Sequence, residues 1–272
     1  MIGDRFAANV AWLFTELPWV DRFAAARDAG FASVEFPWPD DPAATADAVR
    51  AAGVGVALLN APAGDLAAGE RGWPNDPARI DEWRQAFASG LALAIDVGCG
   101  TINVLAGNRV ARATDADQLA CLEENLRWAL TVASASGVTV VTELLNPQEN
   151  PDYLLTSLDD ATPLLDRLAP IGWRLQLDTY HLGLTDRDVA ATIRRAGASI
   201  GHVQVADVPG RHEPGTGQLD WSAIDAALRD AGYTGPIGLE YRPTISGFEW
   251  LSAMQSGLHL GADQLRLSDT DA

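Results

Sequence analysis

Lysine is missing altogether: all 19 residues counted as Lys or Arg are arginine. Without a lysine amine the chain cannot form a Schiff base with a carbonyl substrate or hold pyridoxal phosphate covalently. Cysteine is nearly as scarce. Cys99 and Cys121 are the only two, too few for a disulfide framework or a cysteine-rich metal site, and are expected as buried thiols. Positive charge is in deficit, with 37 acidic residues giving a net charge of −18. That opposes binding to nucleic acid, whose phosphates call for a basic surface, and to anionic membrane surfaces. Apolar runs near the ~18 residues of a membrane span are lacking, and no basic-apolar leader follows Met1; a soluble, cytoplasmic protein is expected. No Gly-x-Gly-x-x-Gly opens the first helical stretch, which weakens a dinucleotide-binding fold.

What is present is a regular alternation. Short β-prone runs fall at 6–12, 33–36, 55–60, 101–105, 139–144, 174–178, 199–205 and 237–241. Amphipathic stretches such as 20–29, 81–97, 119–136 and 222–231 lie between them, and glycines punctuate the helix ends, as in "DAG" at 28–30 and "AAG" at 51–53. Eight strands alternating with eight helical stretches predict an α/β fold with a parallel sheet closed into a single-domain (β/α)8 TIM barrel. A doubly wound open sheet is the alternative. The barrel is placed over residues 1–265, followed by a polar tail, "RLSDTDA", at 266–272.

In such barrels chemistry lies at the C-terminal ends of the strands. Strand five ends "VVTELLN" with Glu143, strand six "LQLDTYH" with Asp178 and then His181, strand seven runs "HVQVAD" through Gln204, and strand eight ends "IGLEYRP" with Glu240. Any one of these could be a cap or half of an ion pair. Four on adjacent strands converge, and three carboxylates brought together repel unless a divalent cation neutralises them. All-oxygen ligation favours Mg²⁺ or Mn²⁺.

The motifs "LLNAPAGDLAAGERG" (58–72), "TELLNPQENPDYLL" (142–155), "LQLDTYH" (175–181), "GHVQVADVPGRHEPGTG" (201–217) and "IGLEYRP" (237–243) resemble those of the hydroxypyruvate isomerase family. It lies within the xylose-isomerase-like barrels that also include the ketose 3-epimerases, and the resemblance runs nearly end to end. It implies metal ligation by Glu143, Asp178, Gln204 and Glu240, with Glu143 and Glu240 as the catalytic acid/base pair. In the epimerase relatives the third ligand is usually His, so Gln204 points to the isomerase side. Glu149, His181 and Arg211 match positions that look like substrate contacts.

The expected reaction moves a proton between adjacent carbons of a small 2-oxo acid through a cis-enediolate stabilised by the metal. Hydroxypyruvate to tartronate semialdehyde is one version, and 2-oxo-tetronate to 3-oxo-tetronate is the four-carbon version that the loop motifs resemble at least as much. A ketose 3-epimerase and a non-catalytic sugar-acid binding protein are the alternatives; an apurinic-site endonuclease on the same barrel, which would need more His and Asp ligands and a basic face, is opposed by four histidines and a net charge of −18. A substrate carboxylate needs a cation, for which Arg211 and His181 are the candidates and Arg71 and Arg242 the reserves. The stretch 61–76 after strand three reads as a partial lid with Trp73 as an apolar wall; Trp12 and Phe14 could form another. His202 is expected to be structural, His212 and His259 solvated. The expected partner is a small anionic sugar acid, with homo-oligomerisation resting on analogy of fold alone.

Overall fold

The structure is a computed structural model that describes residues 3–251 except 187, 246 and 249. Eight strands, β1 (Gly3–Asn9), β2 (Phe31–Phe36), β3 (Gly55–Asn60), β4 (Thr101–Asn103), β5 (Thr139–Glu143), β6 (Arg174–Asp178), β7 (Ile200–Val205) and β8 (Ile237–Leu239), close into a barrel in chain order. Every neighbouring pair is parallel, and β8 returns to β1 through Phe6–Ile237, Ala7–Gly238 and Ala8–Leu239. The expected closed (β/α)8 barrel is what the chain forms. The tail at 266–272, the 265 boundary and His259 lie outside the described residues.

Helices α1 (Arg22–Asp28), α2 (Pro42–Ala52), α3 (Ile80–Asp96), α4 (Asp115–Ser134) and α5 (Leu158–Leu168) each join consecutive strands. The alternation departs from one helix per crossover after β6, where α6 (Thr179–Thr185) and α7 (Val189–Ala196) both precede β7; α8 (Trp221–Asp230) follows β7. The starts obey local chemistry. Asp41, Thr114, Ser157, Asp188 and Asp220 each accept a backbone N–H of the first turn from the N-cap position, worth about 1 kcal/mol apiece.

The helices bury their apolar faces against the barrel. Phe23 of α1 meets Phe36 of β2 edge-on, and Trp83 and Phe87 of α3 pack against Trp128 of α4. Each such buried aromatic contributes roughly 1.5–3 kcal/mol relative to exposure. Both cysteines are buried and free; burial pushes the Cys99 thiol up to about 11. No described helix is long and apolar enough to cross a membrane.

β2, β3, β6 and β7 end where their β-prone runs end, whereas β1, β4, β5 and β8 stop short of theirs at the rim. β1 ends at Asn9, not at Trp12, because the Asn9 carbonyl accepts the N–H groups of Trp12 and Leu13 and its side-chain oxygen accepts that of Ala11. β8 ends at Leu239, which leaves Glu240 as the first residue outside the ladder.

Candidate active site

Adjacency of β5 to β8 delivers the four strand-end groups to one mouth of the barrel. Glu143 is the last residue of β5 and Asp178 the last of β6. Asp178 also caps α6, its Oδ1 accepting the Tyr180 N–H at 2.9 Å, which leaves Oδ2 for the site. Gln204 lies one residue before the end of β7, paired in register with Asp178 on one side and Gly238 on the other. Glu143, Asp178 and Gln204 are buried, and Glu240 nearly so.

Arg211 sits among these carboxylates. Its Nη2 donates to Asp178 Oδ2 at 2.8 Å and to Glu240 Oε1 at 2.7 Å. The guanidinium carbon stands 4.5 Å from the Trp12 ring centre and 4.8 Å from that of Tyr180. Two aromatic faces and two carboxylates therefore hold one planar cation. Its backbone is left-handed, φ 59°, in a loop built to hold that shape. The buried Asp207 carboxylate accepts the N–H groups of Val208, Gly215 and Leu219 and the indole N–H of Trp221. Glu213 likewise accepts from Thr244 and Ile245. Asp207, two residues past the end of β7, thus serves the loop rather than the site.

The charge balance is poor. Burial pushes the Glu143 carboxyl well above its ordinary range, and Glu240 and Asp178 push the same way. Burial also raises Asp178, against the opposing pull of Arg211. Glu240 is raised to about 8, again by burial first and with Arg211 opposing. Burial would lower the Arg211 pKa, but Glu240, Asp178 and Glu143 more than offset it, so the guanidinium stays charged.

His181, on α6, is buried next to Glu143 and Asp178, its Nε2 being 3.9 Å from one and 3.8 Å from the other. The Asn146 N–H points at its Nδ1 from 3.2 Å, and the Asn146 side-chain nitrogen lies 2.7 Å away. That amide cannot be flipped, because its oxygen accepts the Glu149 N–H at 2.9 Å. Nδ1 is therefore an acceptor and the neutral ring carries its proton on Nε2, facing the carboxylates. Burial, then Arg211 and Arg71, hold its pKa well below the usual value.

Glu149 accepts the Tyr180 hydroxyl at 2.6 Å and the Asn146 amide at 3.1 Å, which places it behind the Tyr180 ring that flanks Arg211. Arg71 donates to Asn150 at 2.8 Å and to two carbonyls of its own loop. Trp73 is buried beneath the Arg79 guanidinium, 4.4 Å from its ring centre. The 61–76 stretch is fastened at its second half, where Gly72 donates to Ala63 and the Arg71 carbonyl accepts from Gly107. Trp12 flanks the site through Arg211, whereas Phe14 packs on Phe31 and Phe248. His202 is buried against Glu35, and His212 is half-buried with a ring nitrogen 2.9 Å from the Arg242 carbonyl.

Tyr180 and Asn146, which hold Arg211 and His181, have no distinguishing sequence pattern, and two further groups join them. Glu35 of β2 and Asn9 of β1 are buried and connect to Gln204 and Glu240. Each is a polar residue inside an apolar β-prone run, the same signal that marks Gln204.

One atom each from Glu143, Asp178 and His181 lies within 4.8 Å of the others, a cluster that could hold a metal ion. The donor set fits a divalent cation. Glu143, Asp178 and the nearly buried Glu240 lie about the Arg211 guanidinium, and burial first, then the neighbouring carboxylates, drives each toward its protonated form; a cation there would oppose both effects.

A family model described as "Xylose isomerase-like TIM barrel" matches residues 23–257. Over 252 residues the chain is 40% identical to a 2-oxo-tetronate isomerase of Cupriavidus necator, spanning 91% of this chain and 97% of that protein. It is 33% identical to the hydroxypyruvate isomerase of Escherichia coli, spanning 91% and 98%. A crystal structure from Brucella melitensis, described as an AP endonuclease of family 2, matches with a TM-score of 0.86 at 33% identity, covering 92% of this chain and 98% of that one.

Proposed function

The chain belongs to the Xylose isomerase-like TIM barrel family, and we propose that it is an isomerase of a small 2-oxo acid, working by proton transfer between adjacent carbons. Hydroxypyruvate and a 2-oxo-tetronate are the substrates at issue. The observation that carries this reading is the pairing of Glu143 and Glu240 about the Asp178–Arg211 contact: two groups that can exchange protons beside a cation suited to a carboxylate. The likeness to isomerases acting on such acids supports it. The net charge of −18 opposes a nucleic-acid substrate.

Glu143, Asp178 and Glu240, with the amide oxygen of Gln204, are the groups that would hold Mg²⁺ or Mn²⁺. The Gln204 oxygen accepts from Gln176 at 2.6 Å and keeps a second lone pair. His181 fits the set less well as a ligand, since its Nε2 carries a proton; it fits as a donor. When bound, the cation supplies the positive charge that stabilises negative oxygen on neighbouring substrate atoms.

The chain's own groups do the rest. Glu143 accepts the carbon-bound proton at a carboxylate oxygen and Glu240 returns one to the adjacent carbon, while the hydroxyl proton passes to the neighbouring carbonyl oxygen and proton exchange with water resets the two carboxyl groups. His181 Nε2–H donates toward the substrate oxygens. Arg211, held between Trp12 and Tyr180, binds the substrate carboxylate through the guanidinium protons that Asp178 and Glu240 do not take.

The test is to strip the purified protein of metal, restore Mg²⁺ or Mn²⁺, and follow each acid by proton NMR in D₂O. Interconversion with deuterium entering at the reacting carbons is expected, lost on chelation and regained on add-back. No turnover of either acid with metal present would overturn the reading, and epimerisation of fructose or tagatose instead would replace it.

A further inference from the structure

Below the rim lies a second polar cluster that the proposed chemistry does not use. Glu35 has no exposed surface, and among the described residues no arginine is its partner. Three donors reach it from two strands, β1 and β7: Gln204 Nε2 at 2.7 Å and Asn9 Nδ2 at 3.0 Å to Oε1, and His202 Nε2 at 2.7 Å to Oε2. The Asn9 nitrogen also donates to Glu240 Oε2 at 3.0 Å, and its orientation is set by the Ala11 N–H on its oxygen. The barrel leaves room for this carboxylate: a Cβ at Gly238 of β8 would collide with it.

An amide side chain has two nearly isosteric ends, of which only the oxygen can ligate a cation. Something must break that symmetry at Gln204. Glu35 does so, because an amide oxygen 2.7 Å from its Oε1 would set acceptor against acceptor. The nitrogen is held inward and the oxygen is left on the other side, where Gln176 meets it at 2.6 Å.

We propose that Glu35 is a positioning residue that fixes the Gln204 amide with its oxygen available to a divalent cation, and that steadies Glu240 through Asn9. The inference rests on the reading of the rim as a metal site. Groups that orient metal ligands in this way typically change metal affinity by 10–100-fold when removed.

The experiment titrates Mn²⁺ into metal-free full-length protein, by calorimetry and by the EPR signal of free Mn²⁺. The proteins compared are wild type, Glu35→Gln, and the exchanged pair Glu35→Gln with Gln204→Glu. Glu35→Gln, which can donate to the Gln204 oxygen and turn the amide round, should weaken Mn²⁺ on the order of 10–100-fold. The exchanged pair keeps one amide and one carboxylate facing each other, and an oxygen faces the cation whichever way it turns. It should bind at least as tightly as wild type, a rescue that a purely structural role for Glu35 does not predict. If Glu35→Gln fails to fold, the exchanged pair still decides: folded protein that has lost Mn²⁺ overturns the proposal. Wild-type binding with Glu35→Gln unchanged to within about twofold overturns this inference alone. A wild type that binds no Mn²⁺ overturns the metal reading and this inference with it.

Discussion

The barrel interior holds two polar layers that treat charge in opposite ways. At the rim, Glu143, Asp178 and Glu240 crowd around the single guanidinium of Arg211, and burial and mutual repulsion drive them toward protonation. One step down the strands, Glu35 is surrounded by donors from Asn9, His202 and Gln204. The lower layer is matched, acceptor to donor, and can be rigid. The upper layer is short of positive charge and is thereby ready for a ligand that supplies it. Catalytic groups need proton affinities that water would not give them, and a satisfied layer beneath can hold them still.

Removing a group from the rim should cost function far more than fold. Glu240→Gln is expected to lower kcat by about 10²–10⁴-fold with an unchanged circular dichroism spectrum; a near-normal rate in the NMR assay would take Glu240 out of the chemistry. Arg211→Met removes the one cation bridging Asp178 and Glu240. At pH 8 the metal-free variant should lose roughly 3 kcal/mol in urea unfolding, and Mn²⁺ should recover much of it; equal losses with and without the ion would mean that the rim is not short of positive charge.

The wild type is expected to respond to pH as well. Glu240 is raised from 4.5 to about 8 when folded. Between those values the folded protein binds more protons than the unfolded one, so stability present at low pH falls as pH rises through about 8. The Tm of metal-free protein should decline across that window and decline less with Mn²⁺. In the matched layer the defect is one of space. Gly238→Ala pushes a methyl into Glu35 and should cost about 1–3 kcal/mol with or without metal. Far from both layers, Arg127→Ala breaks an exposed pair with Glu123 one helical turn away and should change stability by at most about 0.5 kcal/mol.

Much of the rim was legible in the chain. Glu143, Asp178, Gln204 and Glu240 stand out because each follows an apolar run whose strand identity is strong, and adjacency of β5 to β8 follows from alternation. Arg211 was named from its loop, and the structure brings it into the carboxylate cluster. How it gets there was not legible, since the reach depends on a left-handed backbone and on Asp207 and Glu213 gathering loop N–H groups. The role of His181 as donor was equally hidden: the tautomer is decided by the Asn146 N–H, 35 residues away in the chain. Glu35 and Asn9 escaped because "SVEF" and "FAAN" give no hint of a partner until the barrel closes. Glu35 meets Gln204 across 169 residues of chain.

Periodicity, caps and strand-end polarity are local properties, each set by a residue and its near neighbours. They alone pointed to eight strands in a parallel sheet and to Glu143, Asp178, Gln204 and Glu240 at the strand ends; closure of the sheet is a tertiary fact. The tertiary structure decided which of those side chains share a proton, a guanidinium or an amide. Those are questions of ångströms between atoms on different strands, answered only where loops are fixed by buried hydrogen bonds and where a glycine at 238 leaves space for a carboxylate.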